Sequence, residues 1–130
     1  MAESYLASKQ MYGEDKLVRT VRGTIVLPAR VPSGLVEQIF IEIRDVSFAD
    51  APSTPVAKRS IRHVTLRANG RIPFEITAPD VEPNRILAIY IHMSLDGSGV
   101  VRSGDLLTTR HYAIPNSGSV PPLEILVTMI

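Results

Sequence analysis

The chain has 130 residues, with 14 Lys and Arg against 13 Asp and Glu, and no cysteine. One domain of this length buries about two-thirds of the surface its unfolded form exposes, enough for a core without staples. The balanced charge, the 5% aromatic content and the absence of tryptophan argue against a nucleic-acid face. The missing cysteine excludes disulfides, thiol nucleophiles and thiolate-bound metals.

Residues Ala2–Lys16 are polar and mixed, and read as an N-terminal tail over 1–16 with at most a short amphipathic helix from Ser4 to Met11. No basic start precedes an apolar run, and no stretch is apolar enough to span a bilayer, so the expected location is the cytoplasm.

From Leu17 the pattern turns to period two, and residues 17–130 are expected to form one β-sandwich domain. In Val21–Leu27, Val21, Ile25 and Leu27 share one face while Arg22 and Thr24 take the other. Gly23 inside this run predicts a bulge or a closely approaching neighbour. Leu35–Val46 alternates Ile39, Ile41 and Ile43 with Phe40, Glu42 and Arg44, and is the cleanest strand signal. Val56–Leu66 is ambiguous, with an edge strand kept soluble by Lys58 and Arg59 as one reading.

Asn69-Gly70 predicts a turn, and Ile72, Phe74 and Ile76 line one face of the run after it. Pro73 cannot donate to a ladder, so that strand lies at an edge or turns its proline outward. Ile86–Met93 is apolar on both faces. Leu87, Ile89, Ile91 and Met93 stand opposite Ile86, Ala88, Tyr90 and His92, and Ile86, Ala88 and Tyr90 are a candidate association surface for a homodimer or a protein partner. Leu106–Tyr112 predicts a further strand, and Leu123, Ile125, Val127 and Met129 alternate toward the last residue. About seven short strands with regular turns predict an all-β, antiparallel sandwich, with a small barrel as the alternative. Ile25, Leu27, Ile39, Ile41, Ile43, Phe74, Ile89, Ile91, Ile125 and Val127 are the expected core.

The connection Ser94–Asp105 has the spacing of a twelve-residue calcium loop. Gly99 falls at the sixth position, with Ser94, Asp96, Ser98, the Val100 carbonyl and Asp105 at ligand positions and Val101 at the β-branched eighth. Only two carboxylates remain, and Arg102 stands beside them, so any Ca²⁺ affinity belongs to the weakest class, in roughly the millimolar range. The alternative needs no ion: Asp96-Gly97 forms a hairpin turn, with Asp96 and Ser94 bonded to local amides. No cofactor other than this weak Ca²⁺ is implied.

Gly23-Thr24-Ile25, Asp45-Val46-Ser47 with Ala49-Asp50-Ala51-Pro52, Ile72–Ile76, and Gly99 with Gly104-Asp105 together resemble the YbaY-like domain. That family is similar to the small pilot lipoproteins of type III secretion, which help an outer-membrane secretin reach its place. The resemblance covers roughly Val18 to Ile130. It implies a compact β-sandwich and an accessory role, commonly in exported, lipid-anchored proteins. A signal peptide and a lipobox cysteine are absent from this sequence.

His63, His92 and His111 lack the spacing of a zinc site. No Gly-x-Ser-x-Gly elbow and no phosphate loop occur. Thr108-Thr109 reads as a cross-strand hydroxyl pair. The expected function is therefore non-enzymatic: a protein-binding or assembly accessory of chaperone-like type. A calcium-tuned structural or adhesion-like module is the second reading, and an enzyme with an unrecognised site the third.

Overall fold

A computed structural model describes residues 17–48 and 50–130. The helix considered between Ser4 and Met11 lies outside the described residues. Nine strands and no helix are found among those described: β1 Val18–Val26, β2 Leu35–Asp45, β3 Thr54–Thr65, β4 Arg71–Pro79, β5 Leu87–Ser94, β6 Leu106–Leu107, β7 Tyr112–Ile114, β8 Leu123–Leu126 and β9 Thr128–Met129. They form two sheets, one ordered β4-β1-β8 and the other β3-β2-β5-β6-β9, with β7 also on β5. The architecture is the sandwich and not the closed barrel.

Alternation decides which faces meet. Val21 and Ile25 of β1 and Phe74, Ile76 and Ala78 of β4 come from one sheet. Ile39, Ile41 and Ile43 of β2 and Ile89, Ile91 and Met93 of β5 come from the other, and all are buried. All ten expected core residues are buried. In β5 the pairing sets Ile91 on Ile41 and Ile89 on Ile43, so the most apolar strand lies against the cleanest one.

Gly23 answers its prediction with a side chain. It stands directly opposite Phe74, and a Cβ built on it would meet the Phe74 ring at 2.7 Å and the Leu123 carbonyl at 3.0 Å. The ring fills the space that a side chain would take. Pro73 lies in an edge strand, as expected. The Glu75 carbonyl accepts from Arg59 at 3.1 Å, so the odd positions of β4 turn away from β1, and the missing N–H of Pro73 costs no ladder bond.

That Arg59 bond also joins the free edges of β3 and β4, closing one side of the sandwich. On the other side the Tyr112 hydroxyl accepts the Leu126 N–H at 3.0 Å, tying β7 to the edge of β8. Each bond occupies one edge group that would otherwise invite a foreign strand.

Four expectations need correction. The run Leu106–Tyr112 is not one strand: β6 ends at Leu107 and β7 begins at Tyr112. Thr108 continues the pairing with its N–H on the Ile91 carbonyl at 3.0 Å, and its hydroxyl accepts the Ile91 N–H at 3.2 Å rather than pairing with another hydroxyl. The C-terminal alternation serves two sheets, because β8 pairs with β1 and β9 pairs with β6. The β1–β8 pairing is parallel, in a sandwich otherwise antiparallel. A period of two reports only which residues share a face, so it misses both the change of sheet and the strand direction. The ambiguous segment is β3, an edge strand in which His63 takes a φ of 57°, and its register against β2 shifts between Ile43 and Arg44.

Candidate functional site

The 94–105 connection turns its oxygens onto its own backbone. Leu95 and Asp96 sit at the centre of the first turn, closed by the Gly97 N–H on the Ser94 carbonyl at 3.2 Å, and Gly97 follows at a φ of 77°. The turn is therefore one residue earlier than the Asp96-Gly97 pair expected. Asp96 Oδ1 accepts the Ser98 N–H at 2.9 Å and the Ser94 hydroxyl at 3.2 Å. Its Oδ2 faces the Arg102 guanidinium at 2.8 Å. The Ser98 amide, with its hydroxyl, Ser94 and Arg102, holds the Asp96 carboxyl down at about 2. Ser94 is fully buried, and its hydroxyl accepts the Gly99 N–H at 3.2 Å. Val100 is exposed and gives its N–H to the Ser98 hydroxyl at 3.1 Å.

Asp105 closes the loop from the inside. Only 2% of it is exposed, yet its carboxylate takes three N–H donors. Oδ1 accepts from the Leu95 amide at 3.1 Å; Oδ2 accepts from the Arg102 amide at 3.1 Å and from His92 Nε2 at 2.8 Å. Burial pushes this carboxyl up, but the His92 and backbone bonds outweigh it and hold the value below the usual range. Arg102 thus contributes its amide to Asp105 and its guanidinium to Asp96. Among the described residues no three His, Asp or Glu side chains are grouped to hold a metal.

The sequence placed His92 beside the loop but gave it no partner. The structure makes it the loop's anchor: it projects from the outer face of β5, beside Phe40 at 6.0 Å between ring centroids, and is 5% exposed. A histidine on a carboxylate is half of an acid–base arrangement. The remaining half, a hydroxyl hydrogen-bonded to the ring, is not found among the described residues. His63 pairs with Glu37 at 3.2 Å on the surface, and His111 is exposed.

The candidate association residues lie further down the same outer face. Ile86 is 50% exposed and precedes β5, Ala88 is buried, and Tyr90 is partly buried. Ala88 is therefore a floor rather than a contact residue. Beside them a cleft of about 530 Å³ is lined by Arg44, Val46, Pro52, Tyr90, Arg110 and His111, among others. The Asp45-Val46-Ser47 run fixes its lower end. The Ser47 hydroxyl bonds Asp45 Oδ1 and accepts the Ile86 N–H at 2.9 Å, and Arg85 reaches Asp45 Oδ2 at 3.0 Å. Ser47, through its hydroxyl and amide, and then Arg85 outweigh burial and hold the Asp45 carboxyl below its ordinary value.

No protein-family model matches the sequence, and no curated protein does. Among solved structures, an alternative pilotin from the type II secretion system of Vibrio cholerae is similar, with a TM-score of 0.62 at 18% identity. The match covers 86% of this chain and 98% of that one. The pilot-like fold implied by the sequence resemblance is thus found, with a type II protein as the similar structure, and the likeness is one of fold.

Proposed function

We propose that this chain is a non-enzymatic accessory domain that binds another protein, in the manner of a small pilot or assembly factor. The observation that carries this reading is the shared fold with a pilotin over nearly the whole of both chains. The site chemistry agrees with it. The buried His92–Asp105 pair serves to fasten a loop, and the outer face beside Tyr90 offers apolar and polar groups together. The YbaY-like resemblance supports the finer form of the reading, in which the partner is a component of an envelope assembly. The cytoplasm remains the proposed compartment, and cell fractionation checks it.

The test is site-specific photo-crosslinking from the position of Tyr90 in living cells, followed by mass spectrometry. A discrete protein adduct from position 90, absent when Ile86→Glu is introduced into an otherwise identical bait, supports the reading. A folded bait that yields no adduct from Tyr90, from Ile86 or from Val101 overturns it.

A further inference from the structure

The outer-face cleft separates charge in a chain that is otherwise balanced. Arg44, Arg110 and His111 line it, and among the described residues no carboxylate does. The whole chain by contrast carries 14 basic and 13 acidic residues. Arg44 is partly spent: its guanidinium donates to Glu42 Oε1 at 2.7 Å and to the Ser53 carbonyl at 3.1 Å. Its Nε is nonetheless buried without a partner. Arg110 and His111 stand exposed at the rim, with no ion pair to a carboxylate among the described residues.

The floor is of another kind. Tyr90, Val46 and Pro52 give it apolar surface, and Ala88 below Tyr90 leaves room. Beyond its lower end the apolar surface continues onto Ile86, whose carbonyl accepts the Val46 N–H at 2.8 Å, and Phe48, 65% exposed. A small inorganic anion would satisfy the rim and leave this floor wet. An occupant that satisfies both must carry an apolar side chain and an anion close together on one flexible chain.

Resting on the protein-binding reading above, we propose that this cleft docks an extended segment of a partner protein that presents an Asp or Glu beside an aliphatic or aromatic residue. The carboxylate meets the Arg110 guanidinium, whose planar fork suits two parallel hydrogen bonds to one carboxylate. The apolar neighbour lies on Tyr90 between Val46 and Pro52. A half-enclosed cleft with apolar walls strengthens such a charge pair relative to open water.

The experiment uses the whole chain as bait for a displayed library of short random peptides, with an enriched peptide then synthesised and titrated by fluorescence polarisation. Enriched peptides are expected to place an acidic residue next to an aliphatic or aromatic one. Arg110→Glu should weaken their binding by about tenfold or more. Arg67→Glu, at an exposed position in the connection between β3 and β4 and outside the cleft lining, should not, and both variants should melt like the parent. Added salt should weaken binding in the parent.

Enrichment without an acidic excess, or binding unchanged by Arg110→Glu, overturns the proposal. So does failure to enrich any peptide while inorganic phosphate shifts the His111 ring signals in an NMR titration, which marks a small-anion site. A dimer in light scattering that Arg110→Glu dissolves, with no peptide enriched, assigns the cleft to a second copy and overturns it equally. If the Tyr90 adduct persists in the Arg110→Glu bait, the protein-binding reading stands and this docking mode falls. If the adduct is lacking in every bait but the peptides bind as described, the docking mode stands without a cellular partner.

Discussion

His92 Nε2 lies 2.8 Å from Oδ2 of Asp105, and this bond fastens the 94–105 connection to the outer face of the larger sheet. The carboxylate is buried, so each of its three N–H donors counts. Asp105→Asn turns an NH₂ group toward at least one of those donors. A loss of about 1–3 kcal/mol in urea unfolding is expected. A variant as stable as the parent would show that the loop holds itself without this anchor.

The same carboxylate gives a pH dependence of fixed sign. Its value in the folded chain lies below the ordinary 3.8, so the folded state binds the proton less readily than the unfolded one. Its contribution is complete above that ordinary value and fades as pH falls through the lower folded value. Asp96, held at about 2, adds to the same acid window. Unfolding measured from neutral pH down to strongly acid pH should therefore steepen below the ordinary carboxyl range, and Asp105→Asn should flatten part of that slope.

Arg19 predicts a second buried clamp. Its side chain is 8% exposed, donates to the Gly118 carbonyl at 3.2 Å and to the Pro115 carbonyl, and faces Asp80 at 3.4 Å. It holds the turn between β7 and β8 against β1. Arg19→Met keeps much of the apolar stem and removes the donors, and should cost about 1.5–3 kcal/mol, as hydrogen bonds to charged groups do. Hydrogen exchange around Gly118 should rise in the same variant.

Gly23 has no space for a side chain. Gly23→Ala sets a Cβ 2.7 Å from the Phe74 ring and 3.0 Å from a backbone oxygen, and overpacking of this kind costs about 1–3 kcal/mol. In a double-mutant cycle, Phe74→Leu should recover part of that loss, because the clash belongs to the pair. Strict additivity of the two would show that the ring does not fill the glycine's place.

The loop should bind calcium weakly at best. Asp105 is committed to three N–H donors, and Asp96 to Arg102, Ser94 and Ser98. Calorimetry with Ca²⁺ on the parent should give no saturable heat at micromolar concentration. Ser98→Asp adds charge at an exposed position and is the better probe of the twelve-residue spacing. Ser94→Asp buries a carboxylate where the Ser94 hydroxyl now accepts Gly99, and should destabilise the chain.

Much of this molecule is written in its alternation. Ile39, Ile41 and Ile43 beside Ile89, Ile91 and Met93 marked one face of each strand as core, because alternate residues of a strand share a face. Gly23 and Pro73 announced a close approach and an edge, since the constraints they place on a strand are local and steric. The calcium-like spacing of Ser94 to Asp105 was equally legible, but spacing does not say where oxygens point.

Those directions were decided by tertiary structure. Asp105 turns inward because β5 brings His92 to it, and no local pattern joins residues thirteen apart on opposite sides of a loop. The parallel pairing of β8 with β1, the passage of the last residues from one sheet to the other, and the clamps of Arg19 and Arg59 depend on strands distant in sequence. The outer-face cleft is the same kind of feature. Tyr90 was read as a surface residue from its own strand, but Arg44 and Arg110 reach it from β2 and from the segment between β6 and β7. Period-two chemistry assigns each residue to a face, and only the packing of two sheets determines what stands across from it.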